Sequence, residues 1–433
     1  MTGNEAREYL ESISTTGIVL GMDSMRRLCN RLGNPENKGK VIHIAGTNGK
    51  GSTGAIIEQV LIALGYKVGR YTSPAVFDYK EIYRINQKNI SEEMFTKVLE
   101  KVKGICDGIV ADGFLHPTVF EVETAVAFEY FASEECDFTL IEVGMGGRED
   151  ATNVIEKPVL GVITSISMDH TGFLGDSLAK IAYQKAGIMK RGSSVVKLFQ
   201  EPEVNEVIER EAVATCGEKS LIWAKASDYE VLSMDMEHTI VKSPYGSLKI
   251  AMSGIFQQEN MACAMTALRV LEELGHIEIK KNMERVKSSL EKTMWPGRFE
   301  VISKKPLYII DGCHNPDAAK KLQQTIQNVL GGKRIHFVIG VLGDKDYEGI
   351  FSKVLPLGES AVCITPPNKR GLAKEELEEL AGRYLQDVSS CEQISEAVEA
   401  AINKCKEEED MVLTFGSLSY LGEVKRYVNE LCR

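Results

Sequence analysis

Short apolar runs alternate along the chain with longer segments in which apolar residues recur every three or four positions. The run Lys40–Ala45 predicts a strand, and the apolar spacing through residues 56–64 predicts a helix that ends at Gly65. Similar runs predict strands at 67–72, 138–143 and 159–164. Because helices separate these strands, the pattern indicates a parallel sheet that is covered on both faces.

A second strand–turn–helix pattern begins after Trp295-Pro296-Gly297, where proline and glycine interrupt the periodicity. It consists of a strand at Leu307–Ile310, a turn at 311–316 and a helix from Asp317, and further strands are predicted at 335–340, 361–365 and 411–415. We therefore predict an α/β protein of two domains, residues 1–296 and 297–433, of which the second is the smaller.

Composition narrows the class of protein. Of the 433 residues, 43% are hydrophobic and 26% are charged, as in ordinary globular proteins. No apolar run reaches the ~18 residues of a membrane span, and the N-terminal residues lack the pattern of a secretory signal. The ten cysteines form no C-x-x-C pair, which favours reduced thiols in the cytoplasm, and the net charge of −11 argues against nucleic-acid binding.

The strongest local motif is the glycine-rich segment from Gly46 to Ser52, which joins a predicted strand to a predicted helix. Such a loop lets successive N–H groups point at phosphate oxygens, and the helix N-terminus adds positive charge. The pattern G-x-x-x-x-G-K-[ST] is not met, because its first glycine is missing and Gly51 separates Lys50 from Ser52. An incidental glycine-rich turn is the alternative. The predicted phosphate-binding residues here are Asn48, Gly49, Lys50, Gly51 and Ser52.

A single carboxylate, Glu142, stands at the end of the predicted strand 138–143, just before a glycine run. Ligands of open α/β sheets bind at the carboxyl ends of strands, and carboxylate oxygens suit Mg²⁺. Taken alone, a glutamate at the end of a strand is more often structural.

Several motifs occur in a fixed order over nearly the whole chain and together resemble the folylpolyglutamate and dihydrofolate synthase branch of the Mur ligase superfamily. After the phosphate loop they are Thr72-Ser73-Pro74, Phe120-Glu121, the segment 141–148, Asp150-Ala151-Thr152-Asn153, Asp169-His170, Lys185-Ala186-Gly187-Ile188, Pro296-Gly297-Arg298-Phe299-Glu300, the segment 311–316 and Gly416-Ser417-Leu418.

The resemblance implies a P-loop-type parallel-sheet domain that binds ATP, followed by a Rossmann-like domain. It also implies roles for single residues. The implied magnesium ligands are Ser73, Glu142, His170 and Lys185, the last as a carbamate that holds a second ion. The implied catalytic residues are Lys50, His170 and Lys185. The implied ATP contacts outside the loop are Asn260, Arg298 and Asp311. The implied folate contacts are Phe120, Glu121, Arg148, Asp150 and Ala151. Asp344-Lys345-Asp346 also resembles a family motif, and solvated charges are the equal alternative.

By the same resemblance, the implied reaction is the ATP-dependent addition of L-glutamate to the γ-carboxylate of a reduced folate through an acyl phosphate. Alternatives are a bifunctional dihydrofolate and folylpolyglutamate synthase, another Mur-type amide ligase, a P-loop ATPase or kinase, and a non-catalytic nucleotide-binding module. Ser24 and Ala75 replace longer polar residues of the family, which favours folate over dihydropteroate. We expect a monomer that binds small molecules and neither nucleic acid nor membranes.

Overall fold

The computed structural model describes residues 1–14 and 21–432. The chain begins with two helices, α1 (Gly3–Ile13) and α2 (Asp23–Leu32). Helix α1 starts with a capping box, in which the Thr2 hydroxyl accepts a hydrogen bond from the Glu5 N–H and the Glu5 carboxylate accepts one from the Thr2 N–H. The buried faces of both helices pack in one hydrophobic cluster on the first of two central sheets.

Eight strands form the first sheet. They are β1 (Lys40–Ala45), β2 (Val68–Tyr71), β3 (Tyr83–Ile85), β4 (Lys88–Asn89), β5 (Phe138–Glu142), β6 (Leu160–Ile163), β7 (Ser194–Leu198) and β8 (Leu221–Ala224). Their order across the sheet is β4-β3-β2-β5-β1-β6-β7-β8. The six strands from β2 to β8 in this order are parallel, and β3 and β4 continue the edge as antiparallel strands.

Helices cover both faces of this sheet. Those in the first part of the chain are α3 (Lys50–Ala63), α4 (Glu92–Ala111), α5 (Val119–Ser133), α6 (Thr171–Leu174), α7 (Leu178–Ala186) and α8 (Pro202–Thr215). Successive residues of β1 face opposite sides, so Ile42 and Ile44 join the cluster that contains α3, whereas Val41 joins the cluster that contains α4 and α5. Burial on both faces explains why the central strands are continuous apolar runs.

A small antiparallel sheet and two helices connect the first sheet to the second. The strands are β9 (Glu230–Met234), β10 (Thr239–Ser243) and β11 (Gly246–Ile250), in the order β11-β10-β9. They are followed by α9 (Gln257–Glu273) and α10 (Met283–Leu290). Helix α9 packs beside α3, so the segment that follows the small sheet returns to the phosphate loop.

The second sheet has six strands. They are β12 (Glu300–Lys304), β13 (Leu307–Ile310), β14 (Arg334–Ile339), β15 (Ser360–Cys363), β16 (Asp387–Ser390) and β17 (Asp410–Phe415). Their order is β12-β13-β17-β14-β15-β16, and only β12 is antiparallel to its neighbour. The helices are α11 (Pro316–Val329), α12 (Tyr347–Val354), α13 (Lys374–Ala381), α14 (Ile394–Lys404) and α15 (Leu421–Leu431).

The predicted two-part α/β fold is confirmed, and the eight predicted strands are present to within two residues, as β1, β2, β5, β6, β13, β14, β15 and β17. The sequence did not reveal β3, β7, the edge strands β4, β8, β12 and β16, or the small antiparallel sheet. Most of these strands are short, and every residue of β9 is at least partly exposed, so no continuous apolar run marks it. In β7, which is buried, the charged Lys197 interrupts the apolar run. Among the described residues, no helix is both long and apolar enough to cross a bilayer.

Candidate active site

The turn between β1 and α3 is shaped by two glycines. Gly46 has a φ of 148° and Gly49 a φ of 86°, backbone conformations that other residues rarely adopt. A Cβ atom at Gly49 would lie 2.3 Å from Oδ1 of Asn260 on α9, so glycine is required for this approach. Gly49 is also the N-cap of α3. The N–H groups of the first helical turn are therefore available to an anion, with the positive end of the helix dipole behind them.

The extra glycine in the loop motif, Gly51, has a steric explanation. A Cβ atom at this position would lie 2.3 Å from Nε1 of Trp295, so the indole packs directly on the first turn of α3. The guanidinium of Arg70 stacks on the same indole, 4.1 Å from a ring centroid, and that of Arg84 lies 4.9 Å from it. A residue with a side chain between Lys50 and Ser52 would displace Trp295.

Asn48 links the loop to the second half of the molecule. Its side chain exchanges two hydrogen bonds with the side chain of Asn315, with N···O distances of 3.3 and 3.0 Å. Its Nδ2 also donates to Asp317, whose Oδ2 is 3.0 Å away. The Asn48 carbonyl accepts a hydrogen bond of 2.7 Å from the hydroxyl of Thr164 at the end of β6. The loop is thus fixed by neighbours from both sheets.

The side chains of Lys50 and Glu142 lie close to each other beside the phosphate loop. Nζ of Lys50 donates to the carbonyl oxygens of Gly46 and Thr47, at 3.1 and 3.2 Å, and lies 3.9 Å from Oε1 of Glu142. Burial raises the pKa of Glu142, while the positive charges of Lys50, Arg70 and Arg298 oppose that shift. A carboxylate in this position is a hard oxygen donor beside the site where phosphates would bind.

Lys185, on α7, lies beneath the loop. Its side chain is buried, and Nζ donates to the carbonyl oxygen of Gly46 at 2.9 Å. Burial, together with the charge of Lys50, lowers the pKa of Lys185 to about 7, against the attraction of Asp169 and Asp150. A substantial fraction of this amine is therefore neutral near pH 7.

Asp169 is a buried carboxylate that accepts from three residues of the second half. Its oxygens lie 2.5 Å from Nζ of Lys345, 3.2 Å from Nδ2 of Asn315 and 3.4 Å from Nε2 of His314. Burial alone would raise the pKa of Asp169, but the hydrogen bond from His314 and the nearby positive charges hold it well below its usual range. The adjacent His170 has a φ of 50°, and burial lowers its pKa to about 4.

Two cavities lie between the halves of the molecule, and Arg298 lines both of them. The lining of the first, which we call the loop cavity, includes Asn48, Gly49, Ser52, Asn260, Asp311 and Lys321. The lining of the second, which we call the arginine cavity, includes Gly51, Ser73, Arg84, Glu142 and Trp295. The two cavities therefore meet at the phosphate loop and Arg298.

The order of these parts matches a known pair of domains. The Mur ligase middle domain matches residues 44–268, and the Mur ligase, glutamate ligase domain matches residues 297–418. The chain belongs to the Mur ligase family. Within this family it belongs to the branch of the folylpolyglutamate and dihydrofolate synthases, which confirms the resemblance found in the sequence.

Relatives of this Mur ligase match it along its whole length. The dihydrofolate synthase/folylpolyglutamate synthase of Bacillus subtilis (strain 168) is 32% identical over 429 residues, which cover 98% of each chain. The Mycobacterium tuberculosis folylpolyglutamate synthase complexed with ADP has a TM-score of 0.85 at 29% identity and covers 98% and 97% of the two chains. Escherichia coli FolC in complex with DHPP and ADP has a TM-score of 0.86 at 29% identity, with coverage of 100% and 98%.

The predicted nucleotide residues of this Mur ligase come together. The loop cavity is lined by Asn48, Gly49, Ser52, Asn260, Arg298 and Asp311, and the arginine cavity by Gly51. Lys50 lines neither cavity, since its Nζ donates to the loop carbonyls of Gly46 and Thr47. Both oxygens of Asp311 accept backbone N–H groups at 2.8 Å, from Phe299 and Cys313, which fixes the carboxylate at the cavity wall.

The four predicted metal ligands do not lie at a single site. Ser73 and Glu142 line the arginine cavity, whereas His170 belongs to the Asp169 cluster and Lys185 lies under Gly46. Within residues 1–14 and 21–432, no three His, Cys, Asp or Glu side chains are grouped so that they could hold an ion by themselves. The magnesium assignment therefore stays a prediction.

The predicted folate contacts have local structural partners. Glu121 completes the capping box of α5 with Thr118, and Phe120 packs where a Cβ atom of Gly144 would lie. Asp150 accepts from the N–H of Met145 at 2.8 Å, and the Ala151 that follows it is buried. Arg148 pairs with Glu211 at 2.7 Å and stacks on Tyr183. These five residues line neither cavity, and their role with folate stays a prediction.

The sequence analysis did not assign a functional role to two residues of the site, and it left the role of a third open. Trp295 was identified only as part of the break before the second domain, and Arg84 gave no signal, because neither belongs to a phosphate motif. For Lys345, a solvated surface charge was an equal alternative to a role in a family motif. Its side chain is 7% exposed and pairs with Asp169, so solvation is wrong for this residue, while the neighbouring Asp344 pairs with Arg370 on the surface.

Proposed function

We propose that this protein is an ATP-dependent carboxylate–amine ligase that adds L-glutamate to the γ-carboxylate of a reduced folate and forms ADP and phosphate. The main supporting observation is the phosphate loop, which lies against an interdomain cavity and whose Asn48 pairs with Asn315 of the second domain. The full-length match to dihydrofolate and folylpolyglutamate synthases indicates the substrates.

The reaction has two steps. An oxygen of the folate γ-carboxylate attacks the γ-phosphorus of ATP, the bond to the bridging oxygen breaks, and ADP leaves. The amine of L-glutamate then attacks the acyl carbon, loses a proton and displaces phosphate, which forms the amide. Lys50 and the N–H groups of the α3 N-terminus would stabilise the charge that develops on the phosphoryl oxygens. Contacts from both domains would exclude water from the acyl phosphate.

Residues suited to magnesium lie next to this step. Ser73, Glu142 and His170 would hold the ion, and Glu142 fits because it is a buried oxygen donor beside Lys50. When bound, magnesium would neutralise phosphate charge and align the phosphoryl group.

Lys185 would serve as a carbamate. The neutral amine of Lys185 can add to carbon dioxide and release a proton, and its pKa of about 7 makes the neutral form available. The carbamate would be an anionic oxygen ligand, close to the ammonium group of Lys50, which contacts the same Gly46 carbonyl oxygen as Lys185 does. We expect Lys185→Ala to abolish ligation and a short carboxylate in solution to restore part of it. A free ammonium group at Lys185 in crystals grown with bicarbonate, together with full activity, contradicts the carbamate.

For the acceptor, we propose contacts with Phe120, Glu121, Arg148, Asp150 and Ala151. Ser24 and Ala75 are shorter than the polar residues that the family commonly has there. This supports folate over dihydropteroate, because dihydropteroate depends more on pterin hydrogen bonds, and a buried polar group left without a partner weakens binding strongly. We also propose that the domains meet at residues 296 and 297, and that the protein is a cytoplasmic monomer.

The decisive assay combines purified protein with ATP, magnesium, L-glutamate and either tetrahydrofolate or dihydropteroate. We expect ADP formation to require both L-glutamate and acceptor, with a higher kcat/KM for tetrahydrofolate. The bifunctional alternative predicts comparable values for the two acceptors. ATP turnover that is independent of glutamate and folate would instead indicate an ATPase.

A further inference from the structure

Two arginines face each other across strands β2 and β3 but differ in their partners. Arg70 and Arg84 are register partners in this antiparallel pair. Arg70 is 2% exposed and is neutralised by Glu58, with 2.9 Å between Nη1 and Oε2, while its Nη2 donates to the Gly51 carbonyl. Arg84 has neither kind of contact. Among the described residues, its Nε and Nη2 atoms are buried and have no hydrogen-bond partner.

Arg84 as a whole is only partly buried, but leaving its buried Nε and Nη2 donors without partners is costly, because a donor removed from water needs a compensating hydrogen bond. The position of Arg84 makes the cost worse, since the charge of Arg84 lowers the pKa of Arg70. Stacking on Trp295 holds the plane of Arg84 in place but satisfies no N–H donor. A planar guanidinium fixed by an aromatic ring, with free donors, is well suited to a two-point contact with a carboxylate.

The residues around Arg84 indicate which anion it could bind. Arg84 lines the arginine cavity with Ser73 and Glu142, whereas Asn260 and Asp311 line the loop cavity on the other side of Arg298. The loop cavity is the proposed nucleotide site, and the five proposed folate contacts lie outside both cavities. The incoming amino acid must reach the acyl carbon beside the phosphate loop, and none of the residues assigned so far is assigned to it.

We infer that Arg84 binds a carboxylate of the incoming amino acid and thereby selects L-glutamate as the nucleophile. The inference rests on the proposed ligase function and adds a specificity-determining residue to it. Arg298 lines the same cavity, and the one hydrogen bond of its side chain found among the described residues is a long one, 3.4 Å, from Nη1 to its neighbour's carbonyl. It can supply a second cation for an amino acid that has two carboxylates.

The test separates the two half-reactions. Hydroxylamine attacks an acyl phosphate and displaces phosphate to give a hydroxamate, but it has no carboxylate. Wild-type enzyme, Arg84→Met, Arg84→Lys and the surface control Arg383→Met are assayed with ATP and tetrahydrofolate, with either L-glutamate or hydroxylamine as nucleophile. Arg383 is suitable as a control because its side chain is 56% exposed and pairs only with surface glutamates.

For Arg84→Met we expect the KM for L-glutamate to rise roughly 10- to 100-fold, as for loss of a charge-assisted hydrogen-bond pair. Hydroxamate formation and the KM for ATP should stay near wild type. Arg84→Lys should be intermediate, and Arg383→Met unchanged. The Tm of Arg84→Met should stay equal or rise, because the variant removes two buried N–H donors that have no partner among the described residues.

Other results overturn the inference. An unchanged KM for L-glutamate excludes the contact. An equal fall in hydroxamate and amide formation places Arg84 in the phosphoryl step or the acceptor site, and a lower Tm with a general loss of activity makes it a structural residue. If the wild type forms neither product, the proposed function itself is wrong and the inference fails with it.

Discussion

Two lysine ammonium groups share one acceptor in the phosphate loop. Nζ of Lys50 lies 3.1 Å from the carbonyl oxygen of Gly46, and Nζ of Lys185 lies 2.9 Å from the same atom. Like charges this close destabilise each other, which contributes to the low pKa of Lys185. Carbamylation of Lys185, as proposed above, would replace this repulsion by attraction between the ammonium group of Lys50 and an anion.

The first residue-scale prediction concerns Lys50→Ala. The loop backbone is set by glycines, so the variant should keep its fold and lose one cation at the phosphates. We expect kcat to fall roughly 100-fold or more, which corresponds to ~3 kcal/mol of transition-state stabilisation. The exposed lysine variant Lys281→Ala is the control. Near-normal ligation by Lys50→Ala would show that the loop is not the phosphate site.

The second concerns pH and Lys185. The pKa of Lys185 is about 7 in the folded state against 10.5 for the ordinary side chain, so the unfolded chain binds more protons between these values. Lys185 therefore opposes folding most below pH 7, and this cost diminishes as the pH rises towards 10. Lys185→Met should flatten the increase in unfolding free energy between pH 7 and 9, measured by denaturant titration in carbon dioxide-free buffer. The control Lys242→Met, at a side chain that is 69% exposed, should leave the slope unchanged.

At the scale of elements, two segments from outside helix α3 pack closely against its first turn. Asn260 of α9 occupies the space beside Gly49, and Trp295, which follows α10, occupies the space beside Gly51. Both glycines are costly for an isolated helix, because glycine loses more backbone entropy than alanine on folding. Glycine is nevertheless needed at these positions, because the phosphate loop must lie close to the segments that complete its cavities.

Gly51→Ala tests this arrangement. Because the new Cβ atom would overlap Trp295, we expect a loss of about 1–3 kcal/mol in unfolding free energy and a higher KM for ATP. Gly104→Ala is the matched control, since it lies within α4 and its Cβ atom meets nothing within 4 Å. That variant should stabilise the protein by about 0.5–1 kcal/mol. Equal stability of the two variants would mean that Trp295 does not restrict the loop.

At the scale of the whole molecule, the two domains are joined at the site by polar contacts. Asp169 accepts from His314, Asn315 and Lys345, and Asn48 exchanges hydrogen bonds with Asn315. Lys345 is 7% exposed in its side chain, so its partner matters more than a surface ion pair would. The closed arrangement of the domains thus depends on a buried charge cluster.

We expect Asp169→Asn to lower the unfolding free energy by about 3–5 kcal/mol, because it leaves Lys345 buried without a counter-charge. Adding Lys345→Met to this variant should recover part of the loss, which a double-mutant cycle would measure. Asp176→Asn, at an exposed pair with Lys180, should have no measurable effect. An additive cycle for Asp169 and Lys345 would show that the two side chains do not interact.

The sequence by itself determined most of the central strands, the phosphate loop and the family. Strands buried on both faces must be apolar throughout, and a turn that approaches phosphate needs glycine, so both features can be read within a few neighbouring residues. The same holds for Glu142, whose place follows from the strand that precedes it. Short half-exposed strands such as β9 have no such constraint and were missed.

Only the tertiary structure decided how charged side chains are paired. Lys185 is 139 residues from Gly46 in the chain, yet donates to its carbonyl oxygen. Nothing local distinguishes Arg70, which Glu58 neutralises, from Arg84, whose Nε and Nη2 atoms have no partner among the described residues. The physical reason is that backbone preferences act over a turn of chain, whereas burial, pKa and charge pairing depend on which distant segments pack against each side chain.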